Sequence, residues 1–139
     1  MSPGTSGYVL TSTGTGWVSS APAGGGGGTN LTITSVISTL SLTIAIPAGS
    51  APIQACATAL NSNMDIPNPT GTAGDGQRLL IRIKDAGTTR LLTYGSQFRA
   101  IGCYLPVQTV PLKTTYIGCL WNAAPTILAW DVVSVTTQF

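Results

Sequence analysis

Residues that could carry chemistry are scarce in this sequence, and their spacing does not suggest catalysis. The 139 residues contain neither His nor Glu, so a Ser or Cys nucleophile lacks its usual base. The carboxylates are Asp65, Asp75, Asp85 and Asp131. A glycosidase would need two of them about 5 to 9.5 Å apart in a cleft, and nothing in their spacing indicates such a pair. We therefore expect no enzymatic activity and no cofactor.

The cysteines do not indicate a metal or redox site. Cys56, Cys103 and Cys119 are widely spaced and include no CxxC pair, which zinc knuckles and thioredoxin-like motifs require. Scattered aspartates give no calcium loop either. Buried free thiols are expected. Cys103 and Cys119 could face each other on neighbouring strands, but a protein made in the cytoplasm normally keeps such thiols reduced.

The chain carries little charge: 7% of its residues are charged, 43% are hydrophobic, and the formal net charge is +2. Soluble domains average roughly 25% charged residues. The surface must therefore consist of small polar and apolar side chains, or be covered by a partner. Permanent oligomers cover surface in this way, which favours a homo-oligomer over a monomer with a Thr-rich face. The small net charge argues against a nucleic-acid partner.

The sequence gives no sign of a membrane or secretory segment. No run approaches eighteen apolar residues, because Ser41, Thr43 and Ala45 interrupt the apolar positions of residues 40–46. Residues 1–7 lack the positive and apolar regions of a secretory signal. We expect a protein made in the cytoplasm, with no membrane partner.

Residues 1–28 differ in composition from the rest and include the run Gly24 to Gly28. Such a segment has too little apolar surface to fold alone, and a glycine run acts as a flexible linker. We predict an extended Gly/Thr-rich N-terminal arm over residues 1–28 and a β domain over residues 29–139. Within the arm, residues 8–11 would pair with residues 16–19 as a small hairpin. A disordered tail is the alternative.

The apolar residues of this arm are the candidate anchors to a partner. They are Tyr8, Val9, Leu10, Trp17 and Val18. Trp17 stands out because it lies outside the predicted core, and buried tryptophans dominate many protein interfaces.

From residue 29 onward, short strand patterns are separated by Pro and Gly. Residues 40–46 alternate strictly, and further strands are predicted over 98–105, 114–121 and 128–136. Residues 54–66 fit both a helix and a strand period, and strand is favoured. Seven or eight short strands without crossover helices predict an all-β fold. The expected architecture is an antiparallel β-sandwich, jelly-roll-like, preceded by the arm.

Residues 75–94 hold most of the charge and predict one hairpin. Leu79, Ile81 and Ile83 share one strand face and alternate with more polar positions. Asp85 and Gly87 would form the turn, because Gly87 can adopt a positive φ and Asp85 can bond its own backbone.

Aromatic residues allow two interpretations. They could form a sugar-stacking platform, with Asn122 or Asp131 supplying hydrogen bonds. Trp121 and Trp130 both lie in alternating strand patterns, which favours positions in the core.

Parts of this sequence resemble a module common at the carboxyl ends of bacteriophage virion proteins, both structural and tail-fibre proteins. The similar blocks are residues 75–94, 98–102, 105–106, 113–122 and 130–133. The Gly/Thr-rich segment of residues 4–22 is similar to a short element of phage fibre and decoration proteins.

The resemblance implies a non-enzymatic virion structural protein. The favoured form is a trimeric capsid decoration, or cement, protein. Its arm would attach to the major capsid protein or another virion protein, and binding would stabilise the shell. The alternative is a short tail-fibre or spike tip that binds a host surface glycan. Either form would be located in the virion.

Overall fold

The computed structural model describes residues 9–12, 17–20, 32–36, 40–47, 51–124 and 126–139. These residues form strands and contain no helix that could cross a membrane. The strands are β1 (Val9–Ser12), β2 (Trp17–Ser20), β3 (Thr32–Val36), β4 (Ile53–Leu60), β5 (Met64–Ile66), β6 (Arg78–Asp85), β7 (Leu92–Tyr94), β8 (Phe98–Ala100), β9 (Thr114–Asn122) and β10 (Ala129–Thr137). The predicted all-β class is confirmed.

Most of the strands lie in one large mixed sheet. Its order is β3-β4-β6-β9-β10-β8, while β5 pairs with β7 and β1 pairs with β2. The pairs β6–β9, β9–β10 and β1–β2 are antiparallel. The pairs β3–β4, β4–β6, β8–β10 and β5–β7 are parallel. The predicted purely antiparallel arrangement is therefore wrong.

The parallel pairs arise because strands, rather than helices, carry the chain between them. The chain passes from β4 to β6 through β5, which belongs to the two-stranded sheet. Between β3 and β4, residues 40–46 likewise run parallel to the β5 region through bridges at Ser41 and Ala45. Parallel neighbours need a crossover connection, which is usually a helix. Here strands of the other sheet form the crossover, so the lack of helices does not exclude parallel pairs.

The predicted hairpin over residues 75–94 is wrong, although its turn is confirmed. The neighbours of β6 are β4 and β9, whereas β7 pairs with β5 in the other sheet. Gly87 adopts a φ of 137°, and its amide donates to Asp85 Oδ1 at 2.6 Å. The turn thus directs the chain away from the large sheet instead of back along β6.

Other strand predictions have mixed outcomes. The favoured strand reading of residues 54–66 is confirmed by β4 and β5, and residues 114–121 and 128–136 by β9 and β10. The strand expected over 98–105 ends at Ala100, where the chain enters a turn with Gly102 at a φ of 68°.

In the arm, β1 and β2 pair as a hairpin whose strands lie one residue later than predicted, with Val9 opposite Ser20 and Ser12 opposite Trp17. Tyr8 and Gly24 to Gly28 lie outside the described residues. The boundary at residue 28 lies there too and stays a prediction.

One core contains residues of the large sheet and of the β5–β7 side. Leu42 and Ile44 are fully buried while Thr43 and Ala45 are exposed, which confirms the alternation of this segment. The large sheet contributes, among others, Ile81, Ile83, Ile117, Trp130 and Val132, and the β5–β7 side contributes Met64, Ile66 and Leu92. Trp130 is buried and Trp121 packs against the core, as predicted. Each fully buried large side chain contributes about 1.5 to 3 kcal/mol.

Candidate interaction surfaces

Asp85, at the end of β6, is a buried structural carboxylate. It accepts hydrogen bonds from Gly87 N, from Thr109 Oγ1 at 2.6 Å and from Leu112 N at 3.3 Å. Burial, the largest single effect, raises its pKa. The hydrogen bonds and the charge of Arg90 outweigh burial and leave the pKa below its ordinary value. Asp85 therefore joins three chain segments and faces no open cleft.

A groove of about 500 Å³ contains both Asp75 and Asp131 in its lining; we call it the side groove. Asp131 Oδ1 accepts from Arg99 Nε at 2.8 Å, and its Oδ2 accepts from Asn122 Nδ2 at 2.9 Å. Asp75 Oδ1 accepts from the amide of Ala123 at 3.0 Å. General acid or base catalysis needs an oxygen directed at a substrate, and both oxygens of Asp131 are already occupied.

The side groove also tests the sugar-platform interpretation. Asn122 and Asp131 do lie together beside Trp121. However, the amide of Asn122 donates to Asp131 while its Oδ1 accepts from Ala124 N at 3.0 Å. Trp121 is turned toward Trp130, with ring centroids 5.2 Å apart. The polar groups of this groove are thus largely used within the chain.

A second groove of about 450 Å³ lies on the outer face of the large sheet; we call it the sheet-face groove. Its exposed apolar lining consists of Leu80, Leu120 and Val133. Gly118 lies opposite Leu80 in the β6–β9 register and opposite Ser134 in the β9–β10 register. Because Gly118 has no side chain, this position forms a low point in the face.

Positive charge follows the sheet-face groove along β6. Arg78, Arg82 and Lys84 occupy the positions that alternate with the buried Leu79, Ile81 and Ile83. Among the described residues, the ion pair between Arg99 and Asp131 is the only one. The outer face of β6 therefore combines apolar side chains with a row of cations that no carboxylate of the described chain neutralises.

Several strongly exposed apolar side chains lie in the connection from β8 to β9 and at Leu91, which forms a β-bridge with Gln108 of that connection. Tyr104 is 92% exposed, Leu112 70% and Val107 68%, and Leu91 and Val110 are also exposed. We call these five residues the loop patch. Exposed single apolar residues are ordinary, whereas a concentration of them marks an interaction surface.

Two exposed leucines also have an unusual backbone. Leu112 has a φ of 62° and Leu128 a φ of 40°. Residues with a Cβ rarely adopt the left-handed region, which costs roughly 1 to 2 kcal/mol. Leu128 lies in the β9–β10 connection, outside the loop patch.

The cysteines occupy the positions expected of structural thiols. All three are free, with Cys56 and Cys119 buried and Cys103 half-buried. Burial raises the pKa of Cys119 to about 12. Cys103 Sγ donates to the carbonyl of Val132 at 3.1 Å. Among the described residues, no group of three or more His, Cys, Asp or Glu could hold a metal ion.

The predicted arm anchors and the loop patch are different parts of the chain. Val9 and Leu10 lie in β1, and Trp17 and Val18 in β2, so four of the five anchors belong to one small hairpin. The loop patch does not follow from the strand patterns, because residues 98–105, which include Tyr104, match a strand and the other patch residues lie between the predicted strands or in the predicted hairpin. An available signal was the absence of any charged residue between Arg99 and Lys113.

Comparison with known proteins identifies no relative. No protein-family model matches the chain, and no curated protein or solved structure matches it either.

Proposed function

We propose that this protein is a non-enzymatic structural component of a bacteriophage particle, most simply a trimeric capsid decoration protein. The observation that carries the proposal is the concentration of exposed apolar side chains on a chain with only 7% charged residues. Such a surface works by adhesion, since covering it removes apolar area from water. The sequence resemblance supplies the virion context.

The carboxylates support a role without catalysis. Asp85 and Asp131 have both oxygens in hydrogen bonds within the chain. Asp65 accepts a hydrogen bond from Thr93 Oγ1 at 2.7 Å, and Asp75 accepts one from Ala123 N. Each acid thus accepts hydrogen bonds within the chain: Asp65 and Asp131 from neighbouring strands, and Asp75 and Asp85 from turns and connections.

For the fold, we propose that the large sheet and the β5–β7 sheet pack face to face as a β-sandwich. In support, one core cluster joins Leu42, Met64 and Leu92 with Ile81 and Trp130. The parallel pairs depart from the antiparallel connections of a jelly roll. Methyl-to-methyl NOEs between Leu42 or Leu92 and Ile81 would be expected in solution. Their absence in a folded sample would contradict the sandwich.

In the decoration role, the arm attaches to the major capsid protein or another virion protein. An extended segment with a few apolar residues can add to a sheet edge of its partner. Because the decoration protein would bind the assembled shell and not its free subunits, its attachment would stabilise the shell by mass action.

Purified particles test the location of the protein. Mass spectrometry should detect the chain at a fixed ratio to the major capsid protein, and cryo-electron microscopy should place it on the shell. Absence from particles that were washed free of lysate would overturn the proposal. A position at the tail would replace decoration by the alternative below.

The arm has its own test in the full chain. Trp17→Ala should leave the thermal unfolding midpoint nearly unchanged while reducing incorporation into particles. Thr11→Ala, in the partner strand of the same hairpin, is the matched control and should incorporate normally. A second variant lacks residues 1–28. If both this variant and Trp17→Ala were incorporated into particles normally, the arm would have no role in attachment.

The alternative function is a short tail-fibre or spike tip that binds a host surface glycan. The side groove favours it, because Trp121 and Asn122 line a concave surface with two carboxylates. The occupied hydrogen-bonding groups in that groove make it the second choice. Glycan arrays would decide: binding that Asp75→Ala and Asn122→Ala abolish without unfolding would establish the alternative, and no binding would eliminate it.

A further inference from the structure

We propose that the loop patch is the surface through which copies of this chain associate with one another. The patch consists of Leu91, Tyr104, Val107, Val110 and Leu112. The inference rests on the oligomer in the proposed function and adds the location of its interface.

Charge favours a second copy as the occupant of this surface. Residues 100–112 contain no charged side chain, so the patch can meet the same patch across a symmetry axis without like-charge repulsion. The centres of homo-oligomer interfaces are depleted of charge in this way. On the sheet-face groove, a two-fold contact would instead place Arg78, Arg82 and Lys84 close to their own copies.

The exposed area is suitable for such an interface. A fully exposed Tyr offers roughly 150 to 250 Å² and a Leu or Val roughly 60 to 120 Å² of apolar area. The five exposed fractions therefore amount to roughly 300 to 500 Å². A standard interface buries about 800 Å² per partner, and the adjoining exposed Gln108 and Pro111 extend the patch. Tyr104, the most exposed of the five, belongs to a residue type enriched among interface hot spots.

The loop patch is held in place although it is exposed. The hydroxyl of Tyr94 donates to Pro106 O at 3.0 Å. Leu92 N donates to Val107 O at 2.9 Å and Thr109 N donates to Arg90 O at 2.9 Å. Binding therefore requires little additional ordering of the backbone, and the cost of association falls accordingly.

Leu112 provides the sharpest indication of a binding role. Its positive φ would suit Asn or Gly better, and its side chain is 70% exposed. The positive φ accompanies the hydrogen bond from Leu112 N to Asp85 Oδ1, whereas the exposed apolar side chain adds little to the stability of an isolated subunit. Leu128 shares the exposure and the positive φ outside the patch, so Leu112 is distinguished by its exposed apolar neighbours in the loop patch.

The test compares the full chain with Leu112→Asn and Tyr104→Asp by sedimentation velocity and native mass spectrometry. Both variants should dissociate at concentrations at least tenfold higher than the unaltered protein, because hot-spot truncations produce losses of this size. Leu112→Asn should unfold at the same or a higher temperature when monomeric, since Asn tolerates a positive φ. A general loss of folding cannot produce that combination.

Leu128→Asn is the matched control, because Leu128 is also exposed with a positive φ but lies outside the patch. It should associate like the unaltered protein. Three results would each overturn the inference. The unaltered protein could be monomeric up to high micromolar concentration, both patch variants could associate like the unaltered protein, or Leu128→Asn could weaken association as much as they do. Absence of the chain from particles would overturn the proposed function but not this inference. A dimer formed through the patch would support the inference and contradict only the proposal that the oligomer is a trimer.

Discussion

At the scale of single residues, Asp85 shows how a scarce charge is used. Its carboxylate receives three hydrogen bonds while the residue is 1% exposed. The Thr109 hydroxyl that donates to it also accepts from Arg90 N at 2.9 Å. The end of β6, the turn after it and the last part of the β8–β9 connection are therefore fixed by one side chain.

We predict that Asp85→Asn lowers the free energy of unfolding by about 1 to 3 kcal/mol near neutral pH, because an ionised acceptor of several hydrogen bonds is lost. The pKa of Asp85 is lowered from 3.8 in the folded state. Its contribution is therefore complete above pH 3.8 and is lost as the pH falls through the folded value. Urea titrations should show the difference from the unaltered protein shrinking in acid.

Asp65→Asn is the control for this prediction. Asp65 is exposed and has one side-chain partner, Thr93, so its substitution should change stability by well under 1 kcal/mol. A difference between Asp85→Asn and the unaltered protein that stays constant from neutral pH to pH 2 would contradict the ionised state of Asp85.

Cys119 should make the protein sensitive to alkali. Burial raises its pKa from 9.0 to about 12, so above pH 9 the unfolded chain loses this proton while the folded chain retains it. Stability should therefore fall between pH 9 and pH 12, by up to about 4 kcal/mol. Burial also raises the pKa of Tyr94, which adds to the slope. Guanidinium unfolding of Cys119→Ala should show a shallower decline, and parallel curves would contradict the account.

At the scale of elements, the unusual feature is that strands of one sheet serve as crossovers for the other. From residue 32 to residue 109, the chain alternates between the large sheet and the β5–β7 side. This alternation generates parallel neighbours such as β4 and β6 without a helix. It also places the connections, including the loop patch, at the margins of the sheets.

Much of this architecture could be predicted from the sequence, and the rest could not for a physical reason. The alternation of Leu79, Ile81 and Ile83 identifies a strand with one buried face. Alternation is the same whether the next strand pairs beside it or crosses to another sheet. The Asp85–Gly87 turn was predictable, but its direction depends on Thr109, more than twenty residues later.

Close approaches between elements give a prediction about two glycines. A Cβ on Gly95 would collide with the backbone amide and side chain of Asn68, whereas a Cβ on Gly118 would meet only the hydroxyl of Ser134. A backbone cannot move aside as a hydroxyl can. Gly95→Ala should therefore cost about 1 to 3 kcal/mol, and Gly118→Ala should cost clearly less.

The comparison is sharpened by a double variant. Ser134→Ala removes the hydroxyl, so Gly118→Ala combined with Ser134→Ala should recover the small loss. Thermal unfolding of the three variants measures the differences. A larger effect at Gly118 than at Gly95 would show that the β7–β8 turn yields more readily than its contacts imply.

At the scale of the whole molecule, the low charge and the exposed apolar side chains both favour association through apolar surface. The sequence predicted a covered surface from its composition, but the location of that surface follows from where the sheets leave side chains exposed. Tyr104 is an example: its neighbours suggest a strand, yet β8 ends at Ala100 and leaves Tyr104 almost fully exposed. No local pattern separates a strand from a well-anchored loop of the same composition.

The uncharged loop patch predicts how the proposed oligomer should respond to salt. Because the loop patch carries no charge, sodium chloride should not dissociate the oligomer, and sodium sulfate should strengthen it by favouring apolar burial. Arg78→Gln, on the cationic row of β6, should leave the dissociation constant unchanged in sedimentation equilibrium. If sodium chloride instead separated the copies, or if Arg78→Gln did, the interface would lie on the charged outer face of the large sheet. Adhesion through an uncharged patch would then be the wrong account of how these copies associate.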